Sequence, residues 1–226
     1  MRSFWMCALF LVSTPAWCES IVDVLVRSSE MRLQARTPAD PGSARAAMVQ
    51  ASWQRLQPLT ELPALPELTL VRGELYAEAL QGRRVVASEA LAELPEGERV
   101  LMLAHELGHI ALGHWEAQCA LYKRFVPGEV RPDTTDPVAA ALGAQAHAQS
   151  HRHEYEADAY GYALATRLGY GMDSAYSLMM RLASPMDTAT HPGTRRRVAQ
   201  LREIDARQDR AGLSAALGDE ALPPGR

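Results

Sequence analysis

The sequence predicts an α+β fold that is mostly helical, with a small sheet placed just before a long apolar helix. Two strand-like runs, 68–72 and 83–87, are bounded by the turn residues Gly73 and Gly82, with the segment 75–80 between them. Beyond them, apolar residues recur at helical spacing through most of the remaining chain. A chain of 226 residues can enclose one sizeable core, so we expect a single domain.

Ahead of the sheet, the clearest pattern is that of a helix at 43–57. Its apolar side chains recur at steps of four and three and therefore fall on one face, and Pro58 ends it. The residues of this face are Val49, Trp53 and Leu56. The preceding stretch, 20–41, has a mixed pattern and is interpreted as an arm or as a first strand at 21–26.

Helices are predicted for most of the chain after the sheet. Glu96 and Glu98 place carboxylates in the first turn of a helix that runs to about residue 122, where the helix dipole favours negative charge. A loop rich in proline and glycine follows at 123–137 and could form a lid. Further helices are predicted at 138–168, 173–182 and 194–207. Residues 212–226 have little patterning and are expected to form a disordered tail.

The first 18 residues have the pattern of a secretory signal peptide. Arg2 precedes an apolar run that is too short to span a bilayer, and small residues follow it. We expect cleavage before Glu19 and a mature chain that is periplasmic or secreted. Attachment of a lipid at Cys18 is the alternative, which the bulky Trp17 immediately before it disfavours.

Composition narrows the possible partners. The formal net charge of -4 gives no general attraction for nucleic acid, so we expect no nucleic-acid partner. The mature chain carries no apolar run of membrane-spanning length, so no transmembrane segment is expected there. Removal of the signal leaves Cys119 as the one cysteine, which predicts a buried small residue and no internal disulfide.

The strongest motif for chemistry is H-E-x-x-H within the apolar helix. His105 and His109 are four residues apart, so both imidazoles project from one face and can bind one ion. Two imidazoles suit zinc and leave room for a carboxylate and a water, which Glu106 lies close enough to reach. Burying these polar groups without a metal would be unfavourable. The motif therefore predicts one Zn²⁺ per chain.

A catalytic zinc needs a third protein ligand, and His114 is the nearest candidate along the chain. It lies five residues beyond His109. At about 100° per residue, this spacing turns its side chain away from the face shared by His105 and His109. His114 is therefore interpreted as a surface residue or as one that supports a ligand.

A better candidate lies on the long helix at 138–168. Glu154 and Asp158 are four residues apart on one side, and the small Ala157 between them allows close approach of another helix. Glu154 could reach the metal, and Asp158 could accept the free N–H of a ligand histidine. His147 and His151 share this face as alternative ligands, although a polar lining of the cleft is the interpretation we favour.

H-E-L-G-H followed about 45 residues later by E-x-x-A-D resembles the gluzincin family that includes HtpX-type heat-shock proteases, the CAAX prenyl endopeptidase and periplasmic quality-control peptidases. The segment 75–94 is similar to that family's strand pair before the active helix. The segment 190–197 is similar to its H-P-x-x-x-x-R element. The resemblance covers roughly 68–205. The membrane helices and helical-repeat extensions of some members have no counterpart in this sequence.

The resemblance implies a zincin-like metallopeptidase domain, which we place at 19–211. It also implies that Glu154 is the third metal ligand and that Asp158 supports the site. By the same resemblance, His191 and Arg197 border the catalytic centre. His191 could donate a hydrogen bond to the oxyanion, or it could occupy the open metal position at rest.

Together these observations predict a zinc-dependent endopeptidase that acts on protein or peptide substrates. Zinc would lower the pKa of a water, and Glu106 would take that water's proton and pass it to the leaving amine. An extended peptide would pair with an edge strand near 75–80. Misfolded or envelope proteins are the substrates that the resemblance suggests. The alternative is a zinc-binding chaperone-like or regulatory module with little proteolytic activity, which the intact Glu106 disfavours.

Overall fold

The structure is a computed structural model that describes residues 19–219, with side chains described for residues 19–210. The predicted signal peptide, 1–18, and the end of the predicted tail, 220–226, lie outside the described residues. In chain order the α-helices are α1 (Ile21–Gln34), α2 (Ala44–Gln54), α3 (Glu96–Ala111), α4 (His114–Phe125), α5 (Pro132–Thr135), α6 (Ala139–Arg167), α7 (Met172–Arg181) and α8 (Thr194–Asp219). Short 3-10 turns lie at Gln57–Leu59, Glu89–Glu93 and Asp136–Val138.

The predicted small sheet forms between α2 and α3. Its strands are β1 (Glu67–Val71), β2 (Ala77–Leu80) and β3 (Arg84–Ser88), in the spatial order β1-β3-β2. β1 runs parallel to β3, whereas β2 runs antiparallel to β3 and forms an edge. The segment between the two strand-like runs thus contains the expected edge strand, and both β2 and β3 pack against the apolar helix α3.

Helix α3 forms the centre of the hydrophobic core. Val100, Leu103 and Leu107 are completely buried, and the helix packs against α2, α6, α7 and β2. The closest approach is to α6, where small residues bring the two backbones together. A Cβ on Gly161 would lie 2.8 Å from the backbone nitrogen of His105, and one on Gly108 would lie 3.1 Å from the Cα of Ala157. Helix α6 therefore packs directly against the part of α3 that contains the H-E-x-x-H motif.

The prediction of one helix from 98 to 122 was wrong, because the helix is broken in two. Helix α3 ends at Ala111, and Gly113 has a left-handed backbone with a φ of 67°. Glycine adopts this conformation without the steric cost of a side chain, so it ends the helix and lets α4 start in a new direction. The break changes the direction in which His114, the first residue of α4, projects.

The prediction of an arm or a strand at 21–26 was also wrong, because this stretch lies in α1. The helix begins with a capping box: the Ser20 hydroxyl accepts from the backbone N–H of Asp23, and the Asp23 carboxylate accepts from the backbone N–H of Ser20. This reciprocal pair satisfies N–H groups at the helix start. The Ser-x-x-Asp spacing was therefore the signal that the sequence interpretation overlooked.

The other differences concern segments predicted to lack regular structure. The last helix was predicted to end at Arg207 and to be followed by a disordered tail from Gly212, but α8 continues to Asp219. Alanine and leucine in this stretch favour helix strongly enough to extend it past Gly212. The loop predicted at 123–137 contains α5 and the end of α4. Among the described residues, no helix combines the length and the apolar character that a membrane crossing requires.

Candidate metal centre

Three side chains from α3 and α6 converge on one point. The Nε2 atoms of His105 and His109 lie 3.2 Å apart. The Oε1 atom of Glu154 lies 3.3 Å from His109 Nε2, and its Oε2 atom lies 3.6 Å from His105 Nε2. The four-residue spacing on α3 and the close approach of α6 together produce this cluster. These are the three residues predicted as metal ligands, and the fold brings all of them together.

The spacing of these atoms fits a zinc ion. A tetrahedral zinc with bonds of about 2.0–2.1 Å holds its ligand atoms about 3.3 Å apart. The Oε2 atom of Glu154 is also buried without a hydrogen-bond partner in the described part of the chain. The nearest charged donor is Nη1 of Arg197, at 3.4 Å. An unsatisfied buried carboxylate oxygen is unfavourable, so this arrangement suits a bound cation.

The electrostatics of the cluster favour positive charge at this point. Burial alone would raise the pKa of Glu154, but the contact with His109 and the charges of His105 and Arg197 lower it to about 2. Burial alone would lower the pKa of His105, but Asp158 and Glu154 raise it to about 9. The carboxylates therefore stabilise a proton or a metal cation beside His105.

His105 is held from behind by a carboxylate and an arginine. Its Nδ1–H donates to Oδ1 of Asp158 over 2.9 Å. Arg197 donates to both oxygens of Asp158, from Nε over 2.7 Å and from Nη2 over 2.6 Å. These bonds keep the pKa of buried Asp158 low even though burial raises it. The arrangement fixes the His105 tautomer with Nε2 facing the cluster. The fold thus brings both predicted supporting residues to the site.

Glu106 is anchored by the edge strand. Its Oε2 atom accepts a hydrogen bond from the backbone N–H of Ala79 in β2, over 2.7 Å. The residue is 9% exposed and lines the same cleft as His105 and Glu154. The sequence could not indicate Ala79, because a backbone donor has no side-chain signature. The contact ties the position of the carboxylate to the position of β2.

His191 lies at the rim of the cluster, on the segment between α7 and α8. Its Nε2 atom is 3.6 Å from Oε1 of Glu154, and its side chain is 53% exposed. His147 and His151 hold this segment in place. Nδ1 of His147 bonds the carbonyl of Ala189 over 3.1 Å, and Nε2 of His151 bonds that of Thr188 over 2.9 Å. Their ring nitrogens thus contact backbone carbonyls of the cleft rim, away from the ligand cluster.

Behind His109 lies a second group of polar side chains that the sequence interpretation only partly anticipated. The Nδ1 atom of His114 is 2.9 Å from Nδ1 of His109, and its Nε2 atom is 3.1 Å from Oε2 of Glu156. The rings of His114 and His153 stack with centroids 4.0 Å apart. Burial lowers the pKa of both rings to about 4, so both are neutral at pH 7. The break at Gly113 was the sequence signal for this arrangement.

Cavities adjoin the cluster on two sides. One, of about 330 Å³, lies between α3, α7 and the start of α8. Its apolar lining is formed by Leu101, Met102, Leu178, Met179, Leu182 and Leu201. The other, of about 430 Å³, follows β2 past His109 and His114. The cluster thus lies in a cleft with an apolar end and a polar end.

The helical zincin-like fold and the convergent His–His–Glu cluster define a metallopeptidase. The family model described as Peptidase family M48 matches residues 43–205. The chain belongs to this family of zinc metallopeptidases, and both the predicted family resemblance and the predicted fold class are thereby confirmed. Among solved structures, the crystal structure of S. mikatae Ste24p is similar over 79% of this chain and 54% of that chain, with 19% identity and a TM-score of 0.44. The chain thus spans about half of that structure's length. The search of curated protein sequences found no match to this chain.

Proposed function

We propose that this protein is a zinc-dependent endopeptidase in which His105, His109 and Glu154 hold the ion. The observation that carries the proposal is the separation of 3.2–3.6 Å among their ligand atoms, with Glu106 anchored beside them. Three protein ligands leave one position for water or substrate, as in catalytic rather than structural zinc sites. This ligand count favours an enzyme over the alternative of a regulatory module with a closed site.

Glu106 is the general base of the proposed reaction. A zinc ion held by His105, His109 and Glu154 would lower the pKa of a water and polarise the scissile carbonyl. With Oε2 held by the N–H of Ala79, Oε1 is the oxygen of Glu106 that takes the water's proton. The same carboxyl then passes the proton to the leaving amine. Asp158 and Arg197 take no part in the proton transfers; they keep His105 oriented.

Substrate recognition is proposed at the outer edge of β2. Among residues 19–219, no further strand pairs with that edge. Strand alternation turns the backbone groups of Ala77 and Ala79 to the same side, and the N–H of Ala79 is already used by Glu106. An extended peptide would therefore pair through the remaining groups of Ala77 and Ala79. Recognition through backbone hydrogen bonds gives limited sequence selectivity.

Misfolded or envelope proteins are the proposed substrates, cleaved in the periplasm or outside the cell after export. An edge strand requires an extended segment, which unfolded chains supply and folded proteins rarely do. The proposed location rests on the signal-like pattern of residues 1–18.

Digestion of unfolded casein by the purified mature protein tests the proposed function. We expect cleavage that a chelator abolishes and that added zinc restores. Cleavage that persists after zinc has been removed, or zinc-loaded protein without cleavage, would contradict the proposal. Suppressed casein aggregation without cleavage would instead support the chaperone-like alternative.

A further inference from the structure

The two histidine ligands differ in what holds their outer nitrogens. His105 donates its Nδ1–H to the carboxylate of Asp158. His109 has no carboxylate there; its Nδ1 atom faces Nδ1 of another imidazole, that of His114, at 2.9 Å. Two imidazole nitrogens can share a hydrogen bond only if one carries the proton and the other accepts it. The direction of this bond decides whether Nε2 of His109 is free for a metal.

The hydrogen bond between His114 and Glu156 sets the direction of the hydrogen bond between His109 and His114. The Nε2 atom of His114 lies 3.1 Å from Oε2 of Glu156, and an ionised carboxylate can only accept a hydrogen bond. Nε2 of His114 therefore carries the proton. In a neutral ring its Nδ1 atom is then an acceptor, so Nδ1–H of His109 donates to it. This leaves the lone pair of His109 on Nε2, which faces His105 and Glu154.

The surroundings keep His114 neutral and in place. Its side chain is only 6% exposed, and a buried imidazolium would be unfavourable between two other histidines. His153 stacks on it with an angle of 1° between the ring planes, which limits its rotation. Gly113 provides the turn that brings the ring back toward His109. Burial, the stacked ring of His153 and the turn at Gly113 thus constrain the same side chain.

We propose that His114 is a positioning residue of the metal centre, which accepts a hydrogen bond from Nδ1–H of His109 and thereby fixes the tautomer and orientation of that ligand. Glu156 and His153 support it from outside. The inference rests on the proposed zinc site and extends it. Partners of this kind change metal affinity by about 10–100-fold when they are removed.

A second metal site at His114, His153 and Glu156 is the competing interpretation. Their ligand atoms also lie within 4.8 Å of one another. However, imidazole lone pairs lie in the plane of the ring, and these two rings are parallel and 4.0 Å apart. An ion about 2.0–2.1 Å from a nitrogen in one plane cannot also lie in the other plane. Nε2 of His114 is moreover engaged by Glu156.

Zinc affinity of two matched variants tests the proposal. Asparagine and leucine have nearly the same shape, but the Asn Oδ1 atom can accept a hydrogen bond from His109 in place of Nδ1 of His114. In the full chain, His114→Leu should bind zinc about 10–100-fold more weakly in competition with a chelator. His114→Asn should stay within a few-fold of the parent. Glu154→Ala removes a ligand and should lose more than either.

Two controls separate positioning from packing. Cys119→Ala changes a buried residue on the same helix without touching a ligand, and it should bind zinc like the parent. A packing defect would lower the melting temperature even in the absence of zinc. The melting temperatures of His114→Leu and His114→Asn in excess chelator should therefore agree. If His114→Leu does not fold, Glu156→Ala provides a second test, because it removes the carboxylate that fixes the tautomer of His114. This variant should show a smaller loss of zinc affinity.

Equal zinc affinities for His114→Leu and the parent, or equal losses for the leucine and asparagine variants, would overturn the proposal. A parent that binds two zinc ions, one of which is lost in His114→Leu, would establish the second metal site instead. The failure of the proposed function is recognised separately. A parent that binds one zinc but leaves casein intact is not the proposed endopeptidase, while the comparison of the two His114 variants still decides the role of His114.

Discussion

Glu106 and His105 are neighbours in the chain, but their side chains are held by different parts of the molecule. His105 is oriented by Asp158 on α6, whereas Glu106 is held by the backbone N–H of Ala79 on β2. The ligand and the proposed base can therefore be perturbed independently. At the scale of single residues, this separation means that a substitution of Glu106 can remove the proposed base without disturbing the proposed metal site.

Glu106→Gln should abolish most of the proteolysis and leave zinc binding intact. Glutamine nearly retains the size of the side chain but cannot take a proton from water, and general acid–base catalysis contributes about 10²–10⁴ in rate. Casein cleavage and zinc content, measured on the same preparation, provide the check. A purified variant that keeps its cleavage rate would refute Glu106 as the base.

His191→Ala separates two roles for a side chain that is close to the site but half exposed. A hydrogen bond to the oxyanion predicts a fall in turnover of about 10²–10³ with zinc content unchanged. Occupation of the open metal position at rest predicts a rise in basal cleavage. We favour the first role, because three protein ligands for the metal are already proposed. Steady-state kinetics with zinc analysis distinguish the two, and unchanged kinetics would exclude both.

At the scale of elements, the site depends on how closely α6 approaches α3. Gly161→Ala places a Cβ 2.8 Å from the backbone nitrogen of His105, so the helices must separate. Such overpacking destabilises by about 1–3 kcal/mol, and the shift of Glu154 away from the histidines should weaken zinc binding. Urea unfolding and zinc titration measure the two effects.

Gly143→Ala is the matched control on the same helix. Nothing lies within 4 Å of a Cβ at this exposed position, so the variant should gain about 0.4–1 kcal/mol in the free energy of unfolding. Its zinc affinity should equal that of the parent. Similar behaviour of the two alanine variants would mean that the close approach of the helices does not position the site.

A buried carboxylate on α3 forms hydrogen bonds with two side chains of α7. We therefore expect the free energy of unfolding to depend on pH. Glu98 accepts from Ser177 over 2.6 Å and from Arg181 over 2.8 Å. Burial raises the pKa of Glu98, but these bonds outweigh burial and lower it below 4.5. Because the folded-state pKa is the lower one, the stabilisation is present above the unfolded-state pKa and is lost as pH falls through the folded-state pKa.

Glu98→Gln should therefore be less stable than the parent at pH 7, by about 1–3 kcal/mol. The difference in unfolding free energy should shrink as the pH falls below about 4.5. Glu203→Gln, which alters an exposed pair with Arg207, should stay within about 0.5 kcal/mol of the parent throughout. A difference for Glu98→Gln that does not change with pH would assign the effect to packing.

For the whole molecule, the main prediction concerns where the mature chain begins. The charge, length and small residues of the first 18 positions predict export and cleavage before Glu19. Expression of the full chain in a bacterium with a periplasm, followed by fractionation and N-terminal sequencing, tests this. A start at Glu19 in the periplasmic fraction is expected. An uncleaved N-terminus or a lipid on Cys18 would refute it.

The sequence by itself determined the features that depend on short spacings. Residues four apart on a helix share a face, so His105 and His109 on α3 and Glu154 and Asp158 on α6 could be paired within their own helices. The family-like motifs then indicated which pairs meet. β1, β3 and the long helix were likewise evident from the residue pattern and from the glycines that bound them, whereas β2 was indicated only by the family resemblance.

Only the tertiary structure decided the contacts that join distant segments. The hydrogen bond from Ala79 to Glu106 comes from a backbone group, which any residue type would supply. The contact of His114 with His109 depends on the left-handed turn at Gly113, which reverses a direction that an uninterrupted helix would have fixed. Helical periodicity describes side-chain direction only while the helix continues. A single φ of 67° at Gly113 was therefore enough to move His114 from the outer surface to the back of His109.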